Sequence, residues 1–145
     1  MARKSTLPGR IVAGRGTAEA DAAISEARQG RLPVDDMLRT VLAAQVLVPL
    51  AEAPEMEGDR IAHWNPATIT KRADGSLYHV AFTDPAVAAD YVKGNPQHAY
   101  VLLVDADWLV RILPPGQGIA FNLGSENSFE WSSEGVAEHR ALRTR

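Results

Sequence analysis

Residues 74–94 read DGSLYHVAFTDPAVAADYVKG, and this stretch decides the fold. Asp74-Gly75 tolerates the positive φ of a tight turn and separates residues 69–71 from residues 77–82, two short segments that read as a β-hairpin. Within the second segment Tyr78, Val80 and Phe82 share one face, and Leu77, His79 and Ala81 share the other. Asp84-Pro85 then supplies an N-cap and first-turn pair, so a helix is expected over residues 86–93, with Val87, Tyr91 and Val92 inward and Gly94 closing it. A strand running straight into a capped helix calls for a sheet with helices packed on it.

Upstream, LPVDDMLRTVLAAQ (residues 32–45) places Val34, Met37, Leu38, Val41 and Leu42 on one stripe. Pro33 stands at its start, and Asp35 and Asp36 complement the helix dipole. This is expected to be a core helix, followed by a short strand at residues 46–50. A weaker helix is expected from Thr17 as N-cap to Gly30; its face of Ala20, Ala23, Ile24 and Ala27 is small, so it should pack at an edge. Residues 51–59, AEAPEMEGD, read as an acidic, mobile loop.

Downstream, residues 99–104 are an unbroken apolar run, which fits a central strand buried on both faces. Asp105 or Asp107 is placed to cap a short helix carrying Trp108, Leu109, Ile112 and Leu113, which Pro114-Pro115-Gly116 stops. Residues 119–122 and 129–131 read as two further strands around a turn-rich segment, and Ser133 opens a last helix through Val136, His139 and Leu142. The expected fold class is therefore α+β: one domain with a mixed, mainly antiparallel sheet and helices packed on it.

The chain has 145 residues, enough for one domain with a real core. It has no cysteine, which excludes disulfides and thiolate metal sites and suits a cytoplasmic location. The N-terminus lacks the apolar core of a signal peptide. The longest apolar stretch is about ten residues, half of what a bilayer span needs, so no membrane segment is expected. Arg3, Lys4, Arg10 and Arg15 precede the first acid, leaving residues 17–145 with 11 basic and 18 acidic groups, a balance of −7. Such a body repels phosphate backbones, so nucleic-acid binding is not expected of it and would have to rely on the basic arm. Residues 1–16 mix Gly, Pro, Ser, Thr and basic residues without periodicity; they read as a flexible basic arm whose deletion should leave the fold of residues 17–145 intact.

Several phrases resemble the bacterial SseB N-terminal domain family over most of residues 19–137. RLPVDDMLRTVLAAQVLVPLAE (residues 31–52) is similar to its helix and strand, and DGSLYHVAFTDPAVAADYV (residues 74–92) to its second strand, aromatic-Thr junction and helix. LVDADWLVRILPPGQGIAFNLGSENSFEWSSEGV (residues 103–136) is similar to its closing strand, helix, strand and Asn-x-Gly-Ser loop, with Asn122-Leu123-Gly124 where relatives have Asn-Pro-Gly. The resemblance implies a small α/β module of the bacterial cytoplasm without a defined reaction, and an adaptor, chaperone or immunity-type role in a secretion or toxin setting.

Catalytic motifs are missing. His63, His79, His98 and His139 fall on different expected elements and form no paired ligand spacing, so no metal is expected. Gly124-Ser125-Glu126 is not a nucleophile elbow, and Gly116-Gln117-Gly118 precedes a strand instead of opening a helix, so neither a catalytic residue nor a cofactor is assigned. What remains is a protein-binding surface made of loops. Glu52, Glu55, Glu57 and Asp59 would steer a basic protein partner or simply solubilise an edge of the domain, and Trp64 would either anchor that partner or lid its own core, with the turn at Asn122 and Ser125 joining the surface. The alternatives are a small enzyme with a composite surface pocket and nucleic-acid binding through the arm.

Overall fold

The structure, a computed structural model, describes residues 2–6, 11–71 and 73–143. The chain begins with β1 (Ala2–Thr6), α1 (Thr17–Arg28), α2 (Val34–Leu42), β2 (Gln45–Leu50), β3 (Glu55–Glu57), β4 (Arg60–His63), β5 (Thr68–Thr70) and β6 (Leu77–Ala81). It continues with α3 (Pro85–Gly94), β7 (Tyr100–Asp105), α4 (Ala106–Ile112), β8 (Gln117–Phe121), β9 (Phe129–Trp131) and α5 (Ser133–Arg143). Strands pair in the orders β1-β7-β2 and β5-β6-β8-β9, and β3–β4 forms a separate two-stranded ribbon. Every pairing is antiparallel except β6 with β8. The two larger groups meet where Leu47 and Phe82 exchange both main-chain hydrogen bonds, at 2.9 and 2.8 Å.

Alternation along the strands divides the core between the two faces of this joined sheet. Val46, Val48 and Leu50 of β2 and Leu102 and Val104 of β7 pack with Ile24, Met37, Val41, Leu109 and Val136 from the other helices. Leu47, Val80, Phe82, Val101 and Leu103 face the opposite way, towards Ala88, Val87, Tyr91 and Val92 of α3. The apolar run of residues 99–104 is thus a strand buried on both faces, and the α+β class is the one read from the sequence. Asp84 caps α3 by accepting from the Ala86 amide at 2.9 Å, with Pro85 in the first turn.

Local expectations differ in four places. Thr17 is not the N-cap of α1: Gly16 holds that position at φ 72°, and the Thr17 hydroxyl turns back to the amide and carbonyl of Gly14. Nor does α1 sit at an edge. Its alanines allow close approach, so Ile24 is fully buried and the helix packs on α2. Val34 is 60% exposed, because α2 meets the core only from Met37 onward. Asp105 holds the N-cap position of α4 without a side-chain cap bond; its Oδ1 receives the Arg15 guanidinium at 3.0 Å, a charge-assisted bond.

The segment expected as a flexible arm also contains ordered contacts, while residues 1 and 7–10 lie outside the described residues. Ala2–Thr6 pairs antiparallel with β7. Ile11 packs on the α3-side core, the Arg15 amide donates to Gln45 Oε1 at 2.9 Å, and the Gln45 amide donates to the Arg15 carbonyl at 2.8 Å. The Arg15 guanidinium also donates to the Ala43 carbonyl. Such main-chain bonding needs no apolar side chain, which is why composition does not reveal it. Deleting residues 1–16 is therefore expected to lower the melting temperature by about 10 °C, from loss of Ile11 burial and two partly buried hydrogen bonds. An unchanged melting curve in calorimetry would return the segment to the status of an undocked arm.

His79 on β6 is buried, with Nε2 2.6 Å from Gln117 Oε1 and Nδ1 without a partner. Burial disfavours the imidazolium and pulls its pKa below the ordinary 6.5. A depressed histidine pKa means that the unfolded chain binds the proton first. Its contribution to stability is intact above pH 6.5 and declines as pH falls from there towards the folded-state pKa. Replacing His79 by Gln should narrow the drop in melting temperature between about pH 7.5 and pH 5.5; an identical drop in wild type and variant would contradict this.

Candidate functional site

The parallel pair β6–β8 ends in register at Ala81 and Phe121, so Thr83 and Asn122 leave the sheet side by side. Outside the carboxyl ends of parallel strands is where α/β sheets commonly build sites. Asn122 is fully buried at φ 55°, a left-handed conformation that its short amide tolerates, and its main-chain amide donates to the Ala81 carbonyl at 2.9 Å. Its Oδ1 accepts from the Thr83 amide at 2.8 Å, and its Nδ2 donates to Thr83 Oγ1 at 2.9 Å and to the Asn127 carbonyl at 3.2 Å. Thr83 Oγ1 then donates to Asp21 Oδ1 at 2.9 Å, and Asn127 Nδ2 donates to the carbonyl and Oδ1 of Asp21 at 3.0 Å each.

This network pins the loop of residues 122–128 onto α1. The Ser125 amide closes a turn on the Asn122 carbonyl at 3.0 Å with Gly124 at φ 86°, and Arg28 Nη1 donates to the Ser128 carbonyl at 2.6 Å. An open polar cleft of about 650 Å³ lies between α1 and the loop, lined by Asp21, Arg28, Ser125 and Glu126. A second, of about 570 Å³, lies between α3 and the same loop, with Ile69, Val87, Tyr91 and Leu123 on its walls. Burial raises the Tyr91 phenol pKa. The polar atoms at the centre of this end bond to one another, and the Ser125 hydroxyl accepts from the Asn127 amide at 3.0 Å, so the arrangement shapes the loop. Among the described residues no cluster of His, Asp or Glu could hold a metal ion.

The other expected residues lie at the opposite end of the sheet. Gln45–Leu50 runs antiparallel to β7 with Leu47 level with Phe82, so its far end, from which residues 51–65 depart, points away from Thr83 and Asn122. Residues 51–54 are irregular as expected, but beyond them the chain forms a ribbon: Glu55 faces His63, Met56 faces Ile61 and Glu57 faces Arg60, with Gly58 turning at φ 63°. Glu52, Glu55, Glu57 and Asp59 are all exposed; Glu52 accepts from Asn65 Nδ2 at 2.8 Å. Trp64 is half-buried edge-on against Trp108 at 5.1 Å, a lid on the core, and Met56, 47% exposed, is the apolar group the ribbon presents.

The structure thus brings Glu52, Glu55, Glu57 and Asp59 onto one ribbon and its flank, with Trp64 beneath. It separates them from Asn122 and Ser125, of which Asn122 faces inward and Ser125 is half-buried. Asp21, Thr83, Asn127 and Arg28 were not anticipated from the sequence. Thr83, just before Asp84-Pro85, was a visible signal, but no local spacing relates residues 62 and 106 positions apart.

A model of the SseB protein N-terminal domain family matches residues 20–138, a span that holds the α1–loop network, the ribbon and both clefts. Comparison with curated proteins and with solved structures returned no match.

Asn122→Ala leaves the Thr83 amide without a partner in the interior and puts a Cβ-bearing residue with no compensating amide at positive φ, so it should cost about 2–3 kcal/mol in urea denaturation. Asn122→Gly keeps the backbone conformation and isolates the lost hydrogen bonds. Wild-type stability in both variants would show that the network does not hold this end together.

Proposed function

The chain belongs to the SseB N-terminal domain family, and from that premise we propose that it is a non-enzymatic protein-binding module whose contact face is the acidic ribbon. The observation that carries this reading is that the ribbon stands apart from both larger sheets with every residue of β3 exposed. A two-stranded ribbon is marginal on its own and contributes little to this core, so its value lies in what it presents. It presents Glu55, Glu57 and Asp59 with Glu52 on its flank, against Arg60 and His63, and Met56 between two of the acids.

The partner is a basic protein. The body at −7 steers it, and the ribbon acids and Met56 give it local charge and apolar contact. A role as adaptor, chaperone or immunity-type protein beside a bacterial secretion or toxin system is the kind of work such a surface performs. A cytoplasmic location belongs to the same reading, supported by the absence of cysteine. Among the described residues no helix is long and apolar enough to cross a membrane.

The test is capture of the partner from native cells followed by affinity measurement. Replacing Glu52, Glu55, Glu57 and Asp59 together by Ser should weaken binding by about tenfold or more and flatten its salt dependence; Met56→Ala should weaken it less. Trp64→Ala is expected to act through stability, because it removes the edge contact on Trp108. Unchanged affinity and salt slope in the four-acid variant would place the partner on another face.

A further inference from the structure

A strand with a buried, apolar middle is covered along one edge by a strand of polar sequence. Val101, Leu102, Leu103 and Val104 of β7 are all at most 3% exposed. Beside them lies β1, whose sequence ARKST contains nothing apolar larger than alanine. Its pairing with β7 is an antiparallel main-chain ladder. The ladder is short and imperfect: Ala2 pairs with Val104, Lys4 with Leu103, Ser5 with Leu102 and Thr6 with Val101, with a register irregularity between Ala2 and Lys4. The family match starts at residue 20. The matched span holds β7 and β2, and the strand that pairs with the other edge of β7 lies outside it. A bare, long, apolar edge is a template for any extended chain that reaches it.

We propose that the β7 edge is a strand-acceptor site, occupied in this structure by the chain's own Ala2–Thr6, and that its exchange ligand is an extended basic segment of another polypeptide. The resident strand shows the form the site takes, an antiparallel segment carrying Arg3 and Lys4, and the −7 balance of residues 17–145 favours a ligand of that charge. Residues 11–16 keep their own anchors on Gln45, Ala43 and the α3-side core, so β1 can leave without the rest of the N-terminal segment. A tethered strand competes at an effective concentration in the millimolar range. An incoming segment prevails by supplying what ARKST lacks, β-branched or aromatic residues at alternate positions. This edge is separate from the acidic ribbon, so the inference does not depend on the ribbon being a contact face.

The experiment uses the full-length protein and, as probe, a labelled peptide of residues 1–10, MARKSTLPGR. Neighbouring residues of a strand point their amides to opposite edges, so of Lys4→Pro and Ser5→Pro one removes a ladder donor directly and both disfavour pairing. The peptide should bind at least one proline variant about tenfold or more tighter than wild type, since the tethered competitor is disabled. A peptide with Glu in place of Arg3 and Lys4 should bind that variant more weakly. Hydrogen exchange should show β7 amides protected in wild type, faster in the variant and protected again with peptide. The proposal is overturned if neither variant binds at up to about 1 mM peptide, if all three proteins bind alike, or if the acidic peptide binds as well. Failure of both proline variants to fold would overturn it too, by making β1 indispensable, and self-association of the variants would assign the edge to a second copy of the chain.

Discussion

Leu47 and Phe82 exchange two main-chain hydrogen bonds in a place where neither residue is exposed at all, and most of the architecture hangs on that pair. On one side of it lie β7 and β2, and on the other β6, β8 and β9. Without the junction each group would be a small sheet with an apolar edge open to water. With it, the alternating side chains of β2, β6 and β7 line up into two continuous faces, one for α3 and one for the remaining helices. Ala67 lies between the strands, donating to the Pro49 carbonyl of β2 and accepting from the Val80 amide of β6, so the junction stays satisfied beside the Leu47–Phe82 pair.

The same junction determines where the two ends of the sheet point. Because β2 enters the sheet level with Phe82 and leaves at the far end, the acidic ribbon and the loop of residues 122–128 project in opposite directions. The loop end is rigid and inward-looking, its polar groups spent on Asp21, Thr83 and Asn127. The ribbon end contributes little to the core and presents its charge to solvent. The middle of β7, Val101 to Val104, is buried, and that is what makes its edge worth covering.

Much of the fold was legible in the sequence because its signals are local. The Asp74-Gly75 turn, the Asp84 cap with Pro85 and the unbroken run of residues 99–104 each dictate conformation within a few positions, and each element formed where expected. The readings that failed are those where a competing partner, near or far, took the group that local pattern had assigned elsewhere. Thr17 gives up the cap because Gly14 and Gly16 bend the chain beneath it, and Asp105 gives up its cap bond while holding an arginine 90 positions away. The ribbon escaped notice because Glu-Met-Glu has no β signature.

For the candidate site the division runs along the same line. The sequence by itself determined the class of fold, the acidic body, the lack of thiol chemistry and the position of the acids that form the ribbon, since these depend on residue type and short-range order. Tertiary structure alone decided that Asn122 faces inward, that Trp64 lids the core against Trp108, and that the two ends are apart. It also decided that a polar N-terminal strand covers β7. Each of these depends on which main-chain donor meets which acceptor across the sheet, and a backbone hydrogen bond carries no residue type by which a sequence could announce it.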